Sequence, residues 1–393
     1  MPEHYPGIAA GHYLIQAQER ILFGTPAGEA VLAEVERQGA TRVFVVSTRS
    51  LARPADGPLQ RVVAALGPRH VGSFASVRAH SPREDVIAAA ALAREAKADL
   101  LVAVGGGSVI DATKAMQLCL WFGLTSPEAM EPYRPGQARS KAAAPDGAIR
   151  MIAVSTTLSA SEFTPIAGIT DSRIPAKQSF NHRFLVPRSV VLDPAATLET
   201  PFDLLASTAI RSVDHAVESY CSPLAHPASE AASLQGLRLL SRALPRIKAE
   251  PAALAPRMEA QFGMWQAIQP MSSGVSHGAS HGIGYVLGAT YGVGHGQTSC
   301  VMLPAVLRWN AALNAERQRA LSAAMGAPDR LAPDLLVELI KGLDQPTTLR
   351  EVGIARAALD DIAERALGYE PVRANPRKIE NAKMVREILD LAW

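Results

Sequence analysis

The first half of the chain alternates short apolar runs with amphipathic, alanine-rich stretches. Four runs rich in β-branched residues predict buried strands, at residues 41–47, 98–104, 149–157 and 189–194. Helical spacing precedes the first two of them, in AGEAVLAEVERQGA and in REDVIAAAALAREAKA. Strands that alternate with helices at this spacing predict a parallel sheet with crossover helices.

The pattern changes between Pro194 and Pro201. Beyond this point the sequence is made of alanine- and leucine-rich stretches with helical spacing, such as HPASEAASLQGLRLLSRALPRI and RMEAQFGMWQAIQ. We therefore expect an α/β domain over residues 1–196 and an all-helical domain over residues 197–393. A chain of 393 residues is long enough to form two such cores.

Composition and charge exclude several classes of protein. A net charge of +2 is too balanced to indicate a nucleic acid as partner. Three widely spaced cysteines, Cys119, Cys221 and Cys300, fit neither a disulfide framework nor a thiolate metal motif, which favours the cytoplasm. The start of the chain lacks the pattern of a secretory signal, and no apolar run is long enough to span a membrane.

The strongest local signal is the stretch LVAVGGGSVIDATKA, in which a strand runs into Gly105, Gly106 and Gly107. We expect Ser108 to cap the helix that follows, with Asp111 at its third position. Free amides at a helix start bind anions, so a nucleotide pyrophosphate is the natural occupant. A tight turn without a ligand is the alternative, because the pattern is not the six-residue dinucleotide fingerprint.

Two further strand ends carry residues suited to a dinucleotide. Thr156 and Thr157 follow the third strand, where their hydroxyls can bond a cofactor amide or phosphate, although plain turn chemistry would also explain them. The first strand ends in TRSLAR and has no acidic residue for the ribose hydroxyls. Thr48 and Arg49, with Ser50 and Arg53, would instead tolerate a 2′-phosphate. A solvated basic loop is the alternative, so NAD and NADP both remain open.

Histidines are concentrated in the glycine-rich segment 276–296, which contains His277, His281 and His295. His277 and His281 are four residues apart, and this spacing predicts that they share one helix face. Histidine is both the commonest metal ligand and the usual acid or base near neutral pH. The pattern alone therefore leaves a metal site, a proton-transfer site and a structural role open.

A fourth histidine lies upstream, in AIRSVDHAVESYCS. His215 is predicted on a helix, with Arg211 one turn before it and Glu218 one turn after it. A lone helical histidine is more often structural than functional. Metal coordination requires three or four ligands, commonly with a carboxylate, and the sequence does not identify that carboxylate.

The chain resembles the iron-containing, or group III, alcohol dehydrogenase family along its whole length. The matching motifs are RILFG, GGGSVIDATKA, STTLSASEFTPIAGIT, DHAVESY, SHGASHGIGY, GHG and NPRKI with the terminal AW. The resemblance implies a Rossmann-like nucleotide-binding domain followed by a helical domain, as in dehydroquinate synthase, with the active site between them. It also implies hydride transfer between NAD(P) and a small carbonyl compound or alcohol.

In metal-dependent members of this family an Asp and three His hold a divalent ion. The resemblance places those histidines at His215, His277 and His295, and a further active-site histidine at His281. The Asp stands four residues before the first His, and here that residue is Arg211. A guanidinium has no lone pair and repels a cation, so we expect no bound metal. Asp214 adjoins His215 and lies about 100° round the helix, so it is no simple replacement.

One branch of the family, the maleylacetate reductases, works without metal, and STTLSASEFTPIAGIT and HSPRE resemble that branch. The branch usually carries Asn where this chain has Arg211. We therefore expect a metal-free relative, in which the four imidazoles serve as proton or hydrogen-bond donors and His277 or His281 is the general acid. Arg211, and Lys177 on the substrate side, would favour an anionic oxo acid. A solvated loop lysine is the alternative for Lys177.

Three alternatives to this function remain open. One is a metal-dependent alcohol dehydrogenase that uses three histidines and water. The second is a non-catalytic nucleotide-binding homologue, which would have little reason to keep four histidines in register. The third is a lyase-type relative, which would need an intact metal set. From the resemblance we also expect a homodimer.

Overall fold

The strands of the chain form one six-stranded sheet and one hairpin, within the residues that the computed structural model describes, 12–173 and 176–393. The strands are β1 Arg20–Phe23, β2 Val43–Val46, β3 His70–Phe74, β4 Leu100–Gly105, β5 Arg150–Ser155, β6 Ile166–Asp171, β7 Ala176–Asn181 and β8 Ser189–Leu192. The sheet has the order β1-β8-β5-β4-β2-β3 and its pairings are parallel, whereas β6 and β7 pair antiparallel. The four strands that the sequence predicts are confirmed as β2, β4, β5 and β8.

Helices cover the sheet and make up most of the second half of the chain. Those beside the sheet are α1 Ala27–Arg37, α2 Arg49–Ala52, α3 Pro58–Leu66, α4 Arg83–Glu95 and α5 Gly107–Phe122. Those of the second half are α6 Phe202–Cys221, α7 Pro227–Ala249, α8 Leu254–Ser272, α9 Ala279–Tyr291, α10 His295–Ala324, α11 Ala332–Gly342, α12 Leu359–Ala366, α13 Glu370–Arg373 and α14 Ala382–Ala392. Asn314 interrupts α10 with a non-helical backbone, so that helix is kinked. No helix of the described ranges combines the length and apolarity that crossing a bilayer requires.

Continuous apolar runs in the central strands explain why both faces of the sheet are covered. All four residues of β2 and all six of β4 are buried, as expected for a parallel sheet between two helical layers. The apolar cluster on one face runs without a break from Leu101 on β4 through Ile210 on α6 to Leu336 on α11. The helical half therefore packs directly on the sheet, and this packing fixes α6 relative to the strand ends.

The strand order reverses between β2 and β4, because β3 lies beyond one edge of β2 and β4 lies beyond the other. In an open parallel sheet, ligands bind at such a reversal, outside the carboxyl ends of the strands. The last strand of the sheet ends at Leu192 and α6 begins at Phe202. The carboxyl ends of β2, β4 and β5 thus face the helical half of the chain.

The α7–α8 contact generates a prediction about stability. A Cβ atom on Gly236 would lie 2.7 Å from the backbone nitrogen of Ala267 and 3.0 Å from the backbone oxygen of Gly263. Since backbone cannot move aside as a side chain can, Gly236→Ala should lower the free energy of unfolding by about 1–3 kcal/mol. In the control Gly288→Ala the nearest atom is 3.7 Å away, and that variant should gain about 0.5–1 kcal/mol. Urea unfolding measures both, and equal midpoints would show that this crossing is not tightly packed.

Candidate active site

A cavity of about 1330 Å³ opens at the carboxyl ends of β2, β4 and β5 and is closed by α6 and the start of α10. The predicted cofactor residues that line it are Thr48, Arg49, Gly106, Gly107, Ser108, Asp111, Thr156 and Thr157. The predicted catalytic residues that line it are Lys177, Arg211 and His295. Of the predicted site residues, Gly105 and three histidines, His215, His277 and His281, lie outside the lining.

The glycine loop begins α5 in a different way from the one that the sequence suggests. The N-cap is Gly106 in an extended conformation, so the prediction that Ser108 caps the helix is wrong. The Ser108 hydroxyl instead accepts a hydrogen bond from the amide of His80. Asp111 is not part of a capping box, because its carboxylate accepts from the Ser161 hydroxyl and from the Gly168 amide. The first amides of α5 have no helical acceptor, and the loop that bears them lines the cavity.

Packing explains why this turn needs glycine even before any ligand is considered. A Cβ atom on Gly106 would lie 2.6 Å from Cγ2 of Thr157, and one on Gly105 would lie 2.5 Å from Cγ2 of Val109. The loops after β4 and β5 are therefore in close contact. This contact brings the hydroxyl-rich end of β5 next to the amides of α5.

The end of β2 forms another part of the cavity wall. Thr48 caps α2, since its hydroxyl accepts from the Leu51 amide at 3.4 Å. Arg49 is exposed to the cavity beside Ser76, and Ser50 lines the cavity as well. Arg53 is outside the lining, so the basic group at this strand end is reduced to Arg49.

Three histidines are stacked behind the cavity wall. The ring centroid of His215 lies 5.0 Å from that of His277 and 5.0 Å from that of His281. The centroids of His277 and His281 are 3.8 Å apart. Helix α9 begins at Ala279, so His277 precedes it and the predicted shared helix face is wrong. The ligand nitrogens of the three rings lie within 4.8 Å of one another. The structure thus groups His215 and His277 with His281, whereas His295 begins α10 on the cavity wall.

Glu218 joins this cluster to the start of α9. Its carboxyl group accepts from the amides of Gly278 at 2.9 Å and Ser280 at 2.7 Å, and it shares a hydrogen bond of 2.7 Å with Nδ1 of His281. Burial raises the pKa of Glu218 to about 8, so either partner can donate the hydrogen bond at Nδ1 of His281.

Asp214 lies between the cluster and Arg211. Its Oδ2 accepts from the hydroxyls of Ser280 at 2.8 Å and Ser299 at 2.6 Å, and it is 3.4 Å from Nδ1 of His281. Burial raises the pKa of this carboxyl and that of Glu218. The two carboxyl groups that contact the histidine cluster are thus Asp214, one residue before His215, and Glu218, one turn after it. Their serine and amide partners come from α9 and α10 and are remote in sequence.

Arg211 is buried, with 4% of its surface exposed, yet it forms part of the cavity wall. Burial and the charge of Arg211 lower the pKa of His277 to about 3, and they hold the pKa of His215 well below its usual range. The charge of Arg211 is the leading cause of the low pKa of His295. These imidazoles are therefore neutral at pH 7.

Lys177 on the hairpin and His80 on the loop before α4 are two further groups on the cavity lining. Lys177 is on β7, is exposed to the cavity and packs its Cε atom over Gly168. The sequence missed His80, which lines the cavity with a left-handed φ of 62° and accepts from the Thr170 hydroxyl through its carbonyl oxygen. Burial, and then the charge of Lys177, lowers the pKa of His80. Nothing in HSPRE predicts a left-handed histidine, because that conformation is held by contacts to α5 and β6.

The bonds of Glu218 generate a prediction about stability. The amides of Gly278 and Ser280 bond different oxygens of Glu218. Glu218→Gln replaces one of these oxygens by an NH₂ group, which cannot accept from the amide that faces it. The free energy of unfolding should fall by about 1–3 kcal/mol, the cost of an unpaired buried polar group. The control is Glu230→Gln, which weakens a partly exposed ion pair with Arg317 and should cost less than about 1 kcal/mol. Denaturant unfolding followed by circular dichroism compares the two, and equal losses would mean that Glu218 does not anchor α9.

Comparison with known proteins agrees with the resemblance drawn from the motifs. Residues 18–194 match the iron-containing alcohol dehydrogenase family, and residues 205–393 match the C-terminal part of the Fe-containing alcohol dehydrogenase family. A maleylacetate reductase of Sphingobium indicum is 31% identical over 93% of each chain, and one of Burkholderia cepacia is 28% identical over 97% of each chain. The crystal structure of maleylacetate reductase from Agrobacterium tumefaciens is 25% identical, with a TM-score of 0.82 over 98% of this chain and 99% of that one. The chain therefore belongs to the iron-containing alcohol dehydrogenase family and is an oxidoreductase of its maleylacetate reductase-like group.

Proposed function

We propose that the protein is an NAD(P)-dependent reductase of a small, carboxylate-bearing carbonyl compound, and that it works without a divalent metal. The observation that carries this proposal is the buried guanidinium of Arg211 on the cavity wall, beside the histidines. Its charge suits an anionic substrate, and it stands where metal-dependent relatives need a carboxylate.

The strand ends support the dinucleotide part of the proposal. The loop with the open amides of α5, the hydroxyls of Thr156 and Thr157, and the end of β2 line one continuous cavity. Amides at a helix start suit a pyrophosphate, and the end of β2 suits an adenosine ribose. When bound there, the nicotinamide cofactor supplies the hydride. The chain's own task is to bind and orient it.

The histidine cluster does not fit a divalent ion well. Three buried imidazole nitrogens, Nδ1 of His215 and Nε2 of His277 and His281, have no hydrogen-bond partner among the described residues, and neither has Oδ1 of Asp214. These unpaired atoms favour a metal. Arg211 is a fixed positive charge beside them and offers no lone pair. Asp214, Glu218 and His281 form a second group of potential metal ligands. In this group, Oδ2 of Asp214 and both oxygens of Glu218 already accept hydrogen bonds. We therefore derive no step through a metal.

Charges at the histidine end of the cavity support an anionic substrate. Arg211 and Lys177 both act on His295, whose pKa they lower. Acidic groups on the lining are partly engaged, since Asp85 pairs with Arg78. A substrate carboxylate would meet a cation here. The relatives' name suggests maleylacetate, itself an oxo acid, as the first compound to test.

Of the four predicted site histidines, His295 is best suited to meet the reacting oxygen, because it is the one of the four that lines the cavity. A neutral imidazole can donate a hydrogen bond to a developing alkoxide without carrying charge itself. His277, predicted as a general acid, lies behind the wall and would act through its neighbours.

The proposed cofactor site predicts selective effects at the end of β2. Arg49→Ala should weaken NADPH binding about tenfold or more, the usual value of a charge-assisted bond to phosphate, and leave NADH nearly unchanged. Arg53→Ala removes a similar charge outside the lining and should change neither. Fluorescence titration of each nucleotide measures this, and equal losses for NADH and NADPH would remove the assignment of Arg49.

Metal independence is tested by assaying maleylacetate, other oxo acids and simple aldehydes with NADH and NADPH, before and after EDTA. Turnover of an oxo acid should survive chelation, and added Zn²⁺ or Fe²⁺ should not raise it. Arg211→Asp should lower that turnover and increase the metal found by elemental analysis. If EDTA abolishes turnover and one stoichiometric metal restores it, the three-histidine metal enzyme is the correct description instead.

A further inference from the structure

Arg211 is held by a serine that bridges it to a carboxylate. Its Nη1 donates to the hydroxyl of Ser299 at 3.0 Å, and the same hydroxyl donates to Oδ2 of Asp214 at 2.6 Å. Nη1 itself is 3.9 Å from Oδ2. One hydroxyl thus uses its lone pair for the cation and its proton for the anion, which fixes both groups.

The rest of the guanidinium is free. Within the described residues, Nε of Arg211 is buried without an acceptor, and Nη2 makes no hydrogen bond. An unpaired buried donor is destabilising, and more so when it is charged. Because Arg211 lines the cavity, a bound substrate can supply an acceptor for Nη2, which is not among the buried atoms.

The position of Ser299 links Arg211 to His295. Ser299 and His295 are four residues apart on α10, so they lie one turn from each other on the same side of that helix. The serine that holds Arg211 therefore also belongs to the helix turn that carries the cavity-facing histidine. A second cation, Lys177, reaches the cavity from the hairpin, on a different element.

We propose that Arg211 is the tethered cation that stabilises the charge on the substrate carbonyl oxygen, with Ser299 and Asp214 as its positioning residues, while Lys177 meets the substrate carboxylate. This inference rests on the proposed function. In the reduction the carbonyl carbon gains the hydride and the π pair of the C=O bond moves onto oxygen. That oxygen takes its proton from solvent water while the neutral imidazole of His295 donates a hydrogen bond to it, and the nicotinamide is oxidised. Arg211 meets the charge on the oxygen during this change, the task of a Lewis acid in a metal enzyme.

The test compares two serines that bond the same carboxylate. Ser299→Ala removes the hydroxyl that contacts both Arg211 and Asp214, whereas Ser280→Ala removes one that contacts Asp214 alone. The substrate is whichever oxo acid of the panel the unmodified enzyme turns over fastest. We expect kcat to fall about tenfold or more in Ser299→Ala with KM within about threefold, and both constants to stay within about threefold in Ser280→Ala. Equal effects of the two variants overturn the positioning role of Ser299.

Two substitutions of Arg211 keep the inference testable if Ser299→Ala does not fold. Arg211→Lys keeps the charge, and Arg211→Gln keeps a donor without the charge. We expect kcat to fall about a hundredfold or more in Arg211→Gln and less in Arg211→Lys, with KM little changed in both. A rise in KM at constant kcat would make Arg211 a carboxylate clamp and overturn the inference.

Lys177→Ala separates the two cations. It should raise KM for the oxo acid about tenfold with a smaller change in kcat, because it acts on the bound carboxylate in both ground and transition states. A loss of kcat at unchanged KM would reverse the assignment of the two cations. Failure of the unmodified enzyme to reduce any oxo acid is a separate outcome, which counts against the proposed function itself.

Discussion

Two buried carboxyl groups of α6, Asp214 and Glu218, bond α6 to the helices α9 and α10 that carry the rest of the site. Glu218 receives the amides that begin α9, and Asp214 receives hydroxyls from both α9 and α10. Buried carboxylates are costly unless several donors surround them, so these contacts fix where α9 and α10 can lie. The positions of His281 and His295 follow, since each stands within the first turns of one of those helices.

The same helix also connects the site to the sheet. The buried apolar face of α6 belongs to the cluster that reaches β4, so the carboxylates are carried on an element that cannot move independently of the strand ends. A cofactor at those strand ends and a substrate beside His295 would therefore meet across a fixed distance. Such rigid support is what close positioning of two reactants requires.

Arg211 reverses the sign of the charge that metal-dependent relatives place one turn before His215. The remaining carboxylates explain how a buried guanidinium is tolerated, because Asp214 lies 3.9 Å away and Ser299 bridges the two. The neutral state of the histidines follows from burial and from the same charge: burial is the main cause of the low pKa of His215 and His277, and Arg211 is the main cause for His295. The tethered cation and the unprotonated imidazoles are thus one electrostatic arrangement.

The sequence by itself determined the parallel sheet, its central strands, the helical second half and the glycine turn at the end of β4. These features depend on local signals, namely apolar runs, helical spacing and turn residues, which act within a few positions. It missed β1, β3 and the β6–β7 hairpin, which are short or half-exposed. β1 and β3 become strands by pairing with β8 and β2, and the two strands of the hairpin pair with each other. It also misplaced the cap of α5 and the helix of His277, because Gly106 and Gly278 start those helices by their backbone conformation.

The tertiary structure alone decided how the site is grouped. Spacing places Arg211, Asp214, His215 and Glu218 on one helix. It does not show that two serine hydroxyls and the amides at the start of α9 donate hydrogen bonds to the two carboxyl groups. It also does not show that Arg211 and His295 face the cavity while His215, His277 and His281 lie behind them. Partners that are 60 to 88 residues apart in the chain meet only when α6, α9 and α10 pack together. The burial created by that packing, together with the charge of Arg211, lowers the pKa values of the four histidines, and burial raises those of Asp214 and Glu218.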